Sequence, residues 1–318
     1  MSQSASRRCL VFGAHGFIGR HVMRASALFA RELGTSLVGA PDELDIRDPM
    51  AVRGCAIDCK PDYVIHLAAS TFVPDSIADP GTTYQINFTG TLNVLAALVD
   101  VNFTGRLLFA SSAEVYGIVP ESDLPIRESQ ALAPRTPYAV SKAAGELLCL
   151  QHTLTRGLDI LVVRPFNVIG SGQSSNFAVS SFARQIAELE AAGGGELAVG
   201  NVAVTRDFID ASDTIDAFIA VLRHGKRGEI YNVCSGKETD LRDLLNEMRS
   251  FARVAIGVRI DPKRVRAVEQ RRVVGDYRKL AKHTQWQPTV SLTSSLASII
   301  SDWRVRSRIP ATPTSSRS

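Results

Sequence analysis

The chain has 318 residues, which is long enough for a large core or for two lobes that share one cleft. Its content of 45% hydrophobic and 21% charged residues is ordinary for a globular protein, and its apolar runs are too short to cross a membrane. These values exclude a helical membrane protein. The short polar N-terminus is unlike a signal peptide, and five scattered cysteines favour free thiols, so we expect a cytoplasmic protein.

The net charge of +4 is unevenly distributed along the chain. From Arg249 onward there are fifteen Lys or Arg residues against four Asp or Glu residues. Such a segment forms either a solvated basic face or a site for an anionic ligand. Because exposed aromatic residues are not interleaved with the arginines, a small phosphorylated ligand is preferred to nucleic acid. The dispersed histidines and cysteines predict no structural metal.

The first predicted strand, over residues 9–12, runs directly into a glycine-rich turn, Gly13-x-x-Gly16-x-x-Gly19. An amphipathic helix follows, because apolar residues recur at a helical period from Phe17 to Phe29. Glycines at such a turn let the backbone approach a ligand closely, and the amides at the helix start favour negative charge. The pattern predicts a cofactor phosphate site; a turn that needs glycine only for backbone reasons is the alternative.

The second predicted strand, over residues 36–40, ends without the acid that usually binds the ribose hydroxyls of NAD. Asp42 and Glu43 lie slightly beyond it, and no arginine for a 2′-phosphate follows. NADPH is therefore allowed, but the cofactor preference is not readable from this stretch. Further on, Asp45 and Ile46 could flank an adenine, or Asp48 could cap the next helix.

The remaining elements of the first half alternate regularly between strand and helix. Strands are predicted over residues 62–69, 107–110 and 158–165, and helices over about 83–101 and from Tyr138 onward. The helix over 83–101 is apolar on more than one face, so it is central or lies at a subunit interface. This alternation predicts an α/β fold with a parallel sheet that carries helices on both sides.

Two polar positions near the middle of the chain indicate acid–base chemistry. Thr136 is a good N-cap and Pro137 suits the first helical position, which places Tyr138 and Lys142 one turn apart on the same face. An ammonium beside a phenol favours the phenolate, so we expect the pKa of Tyr138 to be lowered. Ser112 ends a buried strand, where open α/β sheets place their chemistry. A helix that carries these two residues by chance is the alternative.

The motifs of the chain occur in one fixed order: Gly13-x-x-Gly16-x-x-Gly19, Leu44-Asp45-Ile46, His66-Leu67-Ala68-Ala69, Ser112, Tyr138-x-x-x-Lys142 and Arg164-Pro165-Phe166-Asn167. This set resembles the extended short-chain dehydrogenase/reductases of the nucleotide-sugar epimerase/dehydratase group over about residues 8–304. The resemblance implies a Rossmann-type, doubly wound parallel sheet with a smaller, mostly helical C-terminal substrate-binding domain. It also implies a homodimer that pairs through a four-helix bundle.

The implied division places a dinucleotide-binding domain at residues 1–170 and about 205–235. A nucleotide-sugar-binding domain would cover about 171–204 and 236–308, and residues 309–318 would form a disordered tail. Several segments, among them the loop Phe166–Gln173, Arg206-Asp207-Phe208 and Glu269-Gln270-Arg271-Arg272, are most similar to those of enzymes that act on GDP-mannose derivatives. The resemblance implies a GDP-sugar substrate and reduction of the 4-keto group of GDP-4-dehydro-6-deoxy-D-mannose with NADPH or NADH.

The resemblance also implies a role for individual residues. Tyr138 would protonate the oxygen at C4, Ser112 would bond the same oxygen, and Lys142 would hold the nicotinamide ribose. The implied cofactor-binding residues are Gly13, Gly16, Phe17, Ile18, Gly19, Asp45, Ile46, Leu67, Ala68, Ala69, Tyr138, Lys142 and Pro165. The implied substrate-binding residues are Thr71, Asn167, Asn176, Arg206, Arg266 and Glu269.

Three related reactions stay open beside this reduction. The 4,6-dehydratases carry an additional carboxylate two residues after the catalytic Ser or Thr, and Glu114 occupies that position here. Against a dehydratase, the first motif reads Gly-Ala-His-Gly-Phe-Ile-Gly, where those enzymes have Gly-x-x-Gly-Gln-Asp-Gly. The second reaction is a 4-reduction that gives the 6-deoxy-talose product, and the third is a 4-epimerisation. A cofactor-binding regulator without activity is disfavoured because Ser112, Tyr138 and Lys142 are all present.

Overall fold

The computed structural model describes residues 7–264 and 270–307. The chain divides into two compact units. Unit 1 comprises Met1–Val168, Asp207–Glu238 and Val273–Thr289, and unit 2 comprises Ile169–Arg206, Thr239–Arg272 and Val290–Ser318. The division expected from the sequence placed all of 236–308 in the second domain. Residues Val273–Thr289 instead belong to unit 1, because Leu280 and Trp286 are buried in its core.

Unit 1 is built on a sheet of six parallel strands. The strands are β1 (Arg7–Phe12), β2 (Thr35–Gly39), β3 (Tyr63–His66), β4 (Arg106–Ala110), β5 (Asp159–Pro165) and β9 (Ile230–Val233). Their order is β2-β1-β3-β4-β5-β9. This order runs outward from β1 in both directions, and open sheets bind ligands at such a switch point, beyond the carboxyl ends of the strands. β9, which lies far along the chain from β5, joins the edge of the sheet beside it.

Helices cover both faces of this sheet, as the alternation of elements predicts. One buried cluster joins alternate strand residues such as Val11 and Leu108 to Phe29 and Phe218, and the other joins Leu10 and Phe109 to helices on the opposite face. The fold is therefore the doubly wound Rossmann type. The helices of unit 1 are α1 (Phe17–Arg24), α2 (Ser26–Leu33), α3 (Pro49–Cys59), α4 (Val73–Ala78), α5 (Pro80–Tyr84), α6 (Gly90–Asp100), α7 (Pro137–Thr155), α9 (Ala211–His224) and α11 (Arg278–Thr284).

Two predicted helices are interrupted in the structure. The first breaks at Ala25, whose amide is shared between the carbonyls of His21 and Val22, so that α1 ends and α2 begins. The second, predicted over 83–101, contains a π-helical segment at Gln85–Thr89 between α5 and α6. Periodicity alone does not detect either interruption, because an interrupted helix keeps most of its apolar spacing.

Helices predominate in unit 2, as expected, but the C-terminal region also contains strands. β7 (Gly195–Val199) pairs in parallel with β11 (Ile256–Ile260), although the sequence predicted the region after β9 to be helical. The chain passes between the units within β6 (Asn167–Ile169), β8 (Thr205–Asp210) and β10 (Glu238–Asp240). The helices of unit 2 are α8 (Ala178–Ala192), α10 (Leu241–Ser250) and α12 (Leu292–Arg306).

Within the described residues, no helix is both long and apolar enough to span a bilayer. The same residues contain no group of three or more His, Cys, Asp or Glu side chains that could hold a metal ion. The predicted tail, residues 309–318, lies outside the described part of the chain.

Candidate active site

Helix α7 carries the two residues that the sequence singled out for acid–base chemistry. Thr136 caps the helix by accepting a hydrogen bond from the amide of Ala139 at 3.1 Å, and Pro137 is the first helical residue, one position before the predicted start. Tyr138 and Lys142 therefore lie one turn apart. Both are buried, with 7% and 4% of their surface exposed.

The end of β4 brings two further predicted residues to Tyr138. Ser112 follows this strand and caps a 3₁₀ segment, Ala113–Tyr116, by accepting the amide of Glu114 at 3.2 Å. Both Ser112 and Glu114 act on the Tyr138 phenol: the Ser112 side chain lowers its pKa and the charge of Glu114 raises it. The structure therefore assembles Ser112, Glu114 and Tyr138 in one place, although the sequence separates them by up to 26 positions.

The expected lowering of the Tyr138 pKa is wrong for this structure. Burial raises the pKa of Tyr138 to about 12; the nearby Ser112 side chain offsets this rise only in part, and the charge of Glu114 adds to it. The lysine does not offset the burial, because its ammonium is directed elsewhere: Nζ donates to the carbonyl oxygen of Ala110 at 2.8 Å. Tyr138 is thus a protonated phenol that can donate to an oxygen atom placed beside it.

Lys142 connects α7 to β4, one of the two central strands of the sheet. Its Nζ lies at 5.2 Å from the centroid of the Phe109 ring, in addition to its bond with the Ala110 carbonyl at the end of β4. Burial lowers the pKa of Lys142 to about 8. The lysine can therefore lose its proton near neutral pH, which suits a residue that exchanges protons with its surroundings.

The glycine-rich turn has the close backbone contacts of a phosphate cradle. Gly13 has a φ of +83°, and a Cβ on it would meet the amide nitrogen of Ala68 at 2.6 Å. A Cβ on Gly19 would meet the Gly13 carbonyl oxygen at 2.0 Å, so α1 begins directly against the turn. The Arg20 amide bonds the Gly16 carbonyl, which leaves the amides of the preceding helical residues to receive phosphate oxygens. This geometry fits a dinucleotide.

Four further predicted cofactor residues follow strands of the same sheet, whereas Asp45 and Ile46 have other contacts. Leu67, Ala68 and Ala69 follow β3, where the Leu67 amide bonds the Phe12 carbonyl at 2.9 Å, and Pro165 ends β5. Asp45 instead forms an ion pair with Arg47, which lowers the pKa of Asp45 to about 2, while Ile46 is buried against α6. The adenine contact predicted for these last two residues stays a prediction.

Asn87 is a residue that the sequence reasoning missed. It lies in the π-helical segment, accepts the Ser70 amide at 2.7 Å, and donates to the Ser70 carbonyl and to the Ser141 hydroxyl, both at 2.9 Å. Ser141 donates in turn to the Tyr138 carbonyl at 2.7 Å. Asn87 therefore ties the loop before Thr71 to the catalytic helix. A polar residue within an apolar helical pattern is the signal that could have revealed it.

A buried ion pair behind the site was also missed. Arg164 on β5 forms two hydrogen bonds with the Glu146 carboxylate on α7, at 2.9 and 2.6 Å, and both side chains are almost fully buried. Glu146 also accepts from the Ser111 hydroxyl at 2.5 Å, next to Ser112. Arg164 further donates to the Tyr116 hydroxyl at 2.9 Å. This network fixes α7 against the strand ends that carry the site.

For the six predicted substrate residues, the structure gives hydrogen bonds of two, the exposure of two others, and does not describe the remaining two. Asn167 donates to the Asp207 carbonyl at 3.0 Å in unit 1, and Nη1 of Arg206 donates to the carbonyls of Thr205 and Gln270 in unit 2. Thr71 and Asn176 are exposed. Arg266 and Glu269 lie outside the described residues. Roles for these six residues in binding substrate stay predictions.

Comparison with known proteins identifies the family of the chain. The family model described as GDP-mannose 4,6 dehydratase matches residues 42–299, which is more than three quarters of the chain. The chain belongs to this family. Its fold and motifs are those of the extended short-chain dehydrogenase/reductases.

Two curated relatives and one solved structure show which members of the family the chain is similar to. The GDP-6-deoxy-D-mannose reductase of Pseudomonas aeruginosa is 43% identical over 304 residues, covering 95% of this chain and 99% of the relative. The GDP-6-deoxy-D-talose 4-dehydrogenase of Aggregatibacter actinomycetemcomitans is 35% identical over 72% of this chain and 74% of the relative. The structure of RMD from Pseudomonas aeruginosa complexed with NADPH is 42% identical, covers 94% and 99% of the two chains, and superposes with a TM-score of 0.87.

Proposed function

We propose that this protein reduces the 4-keto group of GDP-4-dehydro-6-deoxy-D-mannose to give GDP-6-deoxy-D-mannose, also called GDP-D-rhamnose, with NADPH or NADH. The observation that carries the proposal is the 43% identity to a GDP-6-deoxy-D-mannose reductase over nearly the full length of both chains. The site assembled in unit 1 is chemically competent for this reaction, because it combines a dinucleotide cradle with a protonated phenol.

In the proposed mechanism, Tyr138, Ser112 and Lys142 have separate roles. A reduced nicotinamide cofactor, held by the glycine-rich turn, would supply the hydride that C4 of the sugar requires. Tyr138 donates its proton to the C4 oxygen as negative charge develops there, and Ser112 donates a hydrogen bond to the same oxygen. Lys142, which bonds the Ala110 carbonyl, would hold the ribose of the cofactor beside the site. The product is the secondary alcohol, with one hydride and one proton added across the carbonyl.

The predicted substrate residues would hold the nucleotide and the sugar. Arginine forks suit diphosphate oxygens, so we assign Arg206 and Arg266 to the diphosphate and Glu269 to the ribose of the nucleotide. Thr71, Asn167 and Asn176 would line the sugar.

A direct assay tests the proposal. The purified protein is incubated with NADPH and the 4-keto sugar, generated in place from GDP-mannose by a separate dehydratase, while the absorbance of the reduced nicotinamide is followed. We expect NADPH consumption that depends on the 4-keto sugar, and NMR should identify the 6-deoxy-mannose configuration at C4. A lack of NADPH consumption contradicts the proposal.

The same assay separates reduction from the related reactions. Glu114 lies beside Tyr138, where a dehydratase would place the base that removes the C5 proton. If the protein converts GDP-mannose alone into the 4-keto sugar, it is a dehydratase. If the product has the opposite configuration at C4, the protein forms the 6-deoxy-talose sugar that the second relative's name describes.

We also propose a homodimer that pairs α6 and α7 of two copies as a four-helix bundle. Helix α7 exposes a stripe of apolar side chains, with exposed fractions of 63% for Leu147, 47% for Leu150 and 74% for Leu154, and α6 exposes Leu92. Large apolar residues at this spacing form one face of a helix, and a second copy would remove that face from water. A cytoplasmic location is proposed because all five cysteines are unpaired thiols.

A further inference from the structure

Unit 1 contains a buried histidine that the proposed chemistry does not use. His66 ends β3, opposite Phe12 on one neighbouring strand and Phe109 on the other. Its ring packs against both, with centroid distances of 6.3 Å to Phe12 and 5.6 Å to Phe109, and only 1% of the residue is exposed. Because a buried polar ring is costly without a hydrogen bond, the partners of this ring indicate what it does.

The hydrogen bonds around His66 determine which ring nitrogen carries the proton. Nε2 lies 2.9 Å from Oγ1 of Thr91, and the Thr91 hydroxyl donates its own hydrogen to the Asn87 carbonyl at 2.6 Å. A hydroxyl has one hydrogen, so Thr91 accepts from His66, and the proton of the imidazole is on Nε2. Within the described part of the chain, Nδ1 of His66 has no hydrogen-bond partner.

The imidazole of His66 is neutral at physiological pH. Burial, and after it the charge of Lys142, lower the pKa of His66 to about 3. A protonated ring would also place an N–H group at Nδ1, where the described residues offer no acceptor. His66 is therefore a fixed hydrogen-bond donor and not an acid or a base of the reaction.

The hydrogen bonds continue from Thr91 to helix α7. Asn87, which accepts from Thr91 through its carbonyl, bonds the amide and the carbonyl of Ser70 with its side chain. The same side chain donates to the Ser141 hydroxyl, which donates to the Tyr138 carbonyl. The orientation of Asn87 thus affects both the loop after β3 and the turn that carries Tyr138.

The backbone at Asn87 has an uncommon conformation that these bonds support. Asn87 lies in the π-helical segment Gln85–Thr89, directly before α6. Such segments are rare, and they change the direction of the side chains that follow the extra residue. The Thr91 hydroxyl holds a carbonyl of this segment, and His66 fixes the direction of that hydroxyl. Without these bonds the segment could return to regular helical spacing, which would turn the Asn87 side chain away from Ser70.

We infer that His66 and Thr91 are positioning residues for the proposed reduction, and that they act through Asn87 on the loop after β3 and on the turn that carries Tyr138. The inference rests on the proposed function and adds two residues that act behind the site. Because a displacement of about 1 Å can cost roughly a hundredfold in rate, such a support can limit turnover.

Threonine variants test the inference in the 4-keto reduction assay. Thr91→Val removes the hydroxyl with little change of shape, whereas Thr91→Ser keeps it. Thr214→Val is the matched control, because Thr214 is buried on α9 and its hydroxyl also donates to the carbonyl four residues earlier, that of Asp210, at 2.9 Å. We expect the turnover number of Thr91→Val to fall about tenfold or more with an unchanged KM for NADPH, and the other two variants to resemble the wild type.

Two kinetic outcomes would overturn the inference. One is equal turnover in Thr91→Val and Thr214→Val, and the other is an equal loss in Thr91→Val and Thr91→Ser. A second pair of variants applies if Thr91→Val does not fold. In His66→Gln an amide nitrogen can reach the place of Nε2, whereas the shorter side chain of His66→Asn cannot, so the first variant should keep turnover and the second should lose it. Equal turnover of these two variants would also overturn the inference.

Amide hydrogen exchange tests the same support without any sugar. The Ser70 amide, which bonds Asn87 at 2.7 Å, should exchange faster in Thr91→Val than in the wild type or in Thr214→Val. Unchanged exchange in Thr91→Val would overturn the inference and leave the reductase proposal standing. If exchange changes as expected but the wild type does not consume NADPH with the 4-keto sugar, the proposed function alone fails, and the support that Thr91 gives to Asn87 stands.

Discussion

At the scale of single residues, the balance between burial and partners decides how the site titrates. Tyr138 is buried beside Ser112 and Glu114, and the pKa of its phenol is raised to about 12. Lys142 is buried as well, and the pKa of its ammonium is lowered to about 8. Burial favours the neutral form of each group, which is the phenol for Tyr138 and the amine for Lys142. It therefore raises the pKa of Tyr138 and lowers that of Lys142. At neutral pH the Tyr138 phenol is therefore protonated, while Lys142 titrates close to neutral pH.

The first prediction concerns the proposed acid. Replacement of Tyr138 by Phe should reduce turnover of the 4-keto sugar by roughly a hundredfold or more, because no other donor would protonate the developing alkoxide. NADPH binding should change little, since the glycine-rich turn is untouched. Steady-state kinetics and a binding titration measure the two effects. Tyr63→Phe, at the start of β3, is the control with normal turnover; unchanged turnover in Tyr138→Phe would refute the assignment.

The second prediction is a pH dependence of stability in the cofactor-free protein. The pKa of Lys142 is about 8 in the folded chain, below its ordinary value of 10.5, so the unfolded chain binds more protons between these two pH values. Stability should therefore rise with pH in this window, by about 2–3 kcal/mol in total from this residue. Tyr138, with its pKa raised, opposes the trend only above pH 10.

Urea unfolding of the wild type and of Lys142→Met near pH 8 and pH 10 measures this contribution. The variant should lack the rise, because the buried amine is absent, whereas Lys282→Met, at an exposed position of α11, should retain it. Parallel stability curves for the wild type and Lys142→Met would contradict the prediction.

At the scale of elements, α7 is held by polar contacts on its inner face. The pair of Glu146 and Arg164 joins α7 to β5, and Ser111 extends the contact to the end of β4. Asn87 joins the same helix, through Ser141, to the loop after β3. These contacts converge on the turn that carries Tyr138 and Lys142. A helix that is fixed in this way can keep Tyr138 and Lys142, the side chains proposed for catalysis, at a constant distance from Ser112.

The third prediction concerns this buried pair. Glu146→Leu leaves the Arg164 guanidinium buried without its carboxylate and should lower the free energy of unfolding by about 3–5 kcal/mol. Glu188→Leu breaks the half-exposed pair with Arg184 on α8 and should cost no more than about 0.5 kcal/mol. Denaturant unfolding compares the two variants. Equal effects would show that the burial of the pair does not determine its contribution.

At the scale of the whole molecule, helix α7 has an exposed apolar stripe, formed by Leu147, Leu150 and Leu154, that does not pack into the core of unit 1. Leu147, Leu150 and Leu154 are exposed, whereas Glu146 and Cys149 of the same helix are buried. Exposed leucines repeated along one helix are costly to leave in water. Pairing of two copies through this stripe is the arrangement that we propose.

The fourth prediction tests this pairing. The double variant Leu147→Glu/Leu154→Glu should be monomeric, because four buried charges would replace apolar contacts in the dimer. Light scattering coupled to size-exclusion chromatography gives the mass of each species. Met50→Glu, on α3 with 69% of the residue exposed, is the control and should stay dimeric. A monomeric wild type, or a dimeric double variant, would contradict the proposed bundle.

The sequence by itself determined the features that depend on neighbouring positions. The alternation of strands and helices, the glycine-rich turn, the Thr136 cap and the one-turn spacing of Tyr138 and Lys142 are all properties of short stretches. The structure contains each of them close to its predicted bounds. Periodicity and capping reveal such features because backbone hydrogen bonds and helix geometry act over a few residues.

The tertiary structure decided what depends on residues that are distant in sequence. The pKa of Tyr138 follows from burial, which a local pattern does not contain, and the bond of Lys142 to Ala110 joins residues 32 positions apart. The contacts of Asn87, and the ion pair of Glu146 with Arg164, depend on how helices pack in the folded chain, so only the structure reveals them.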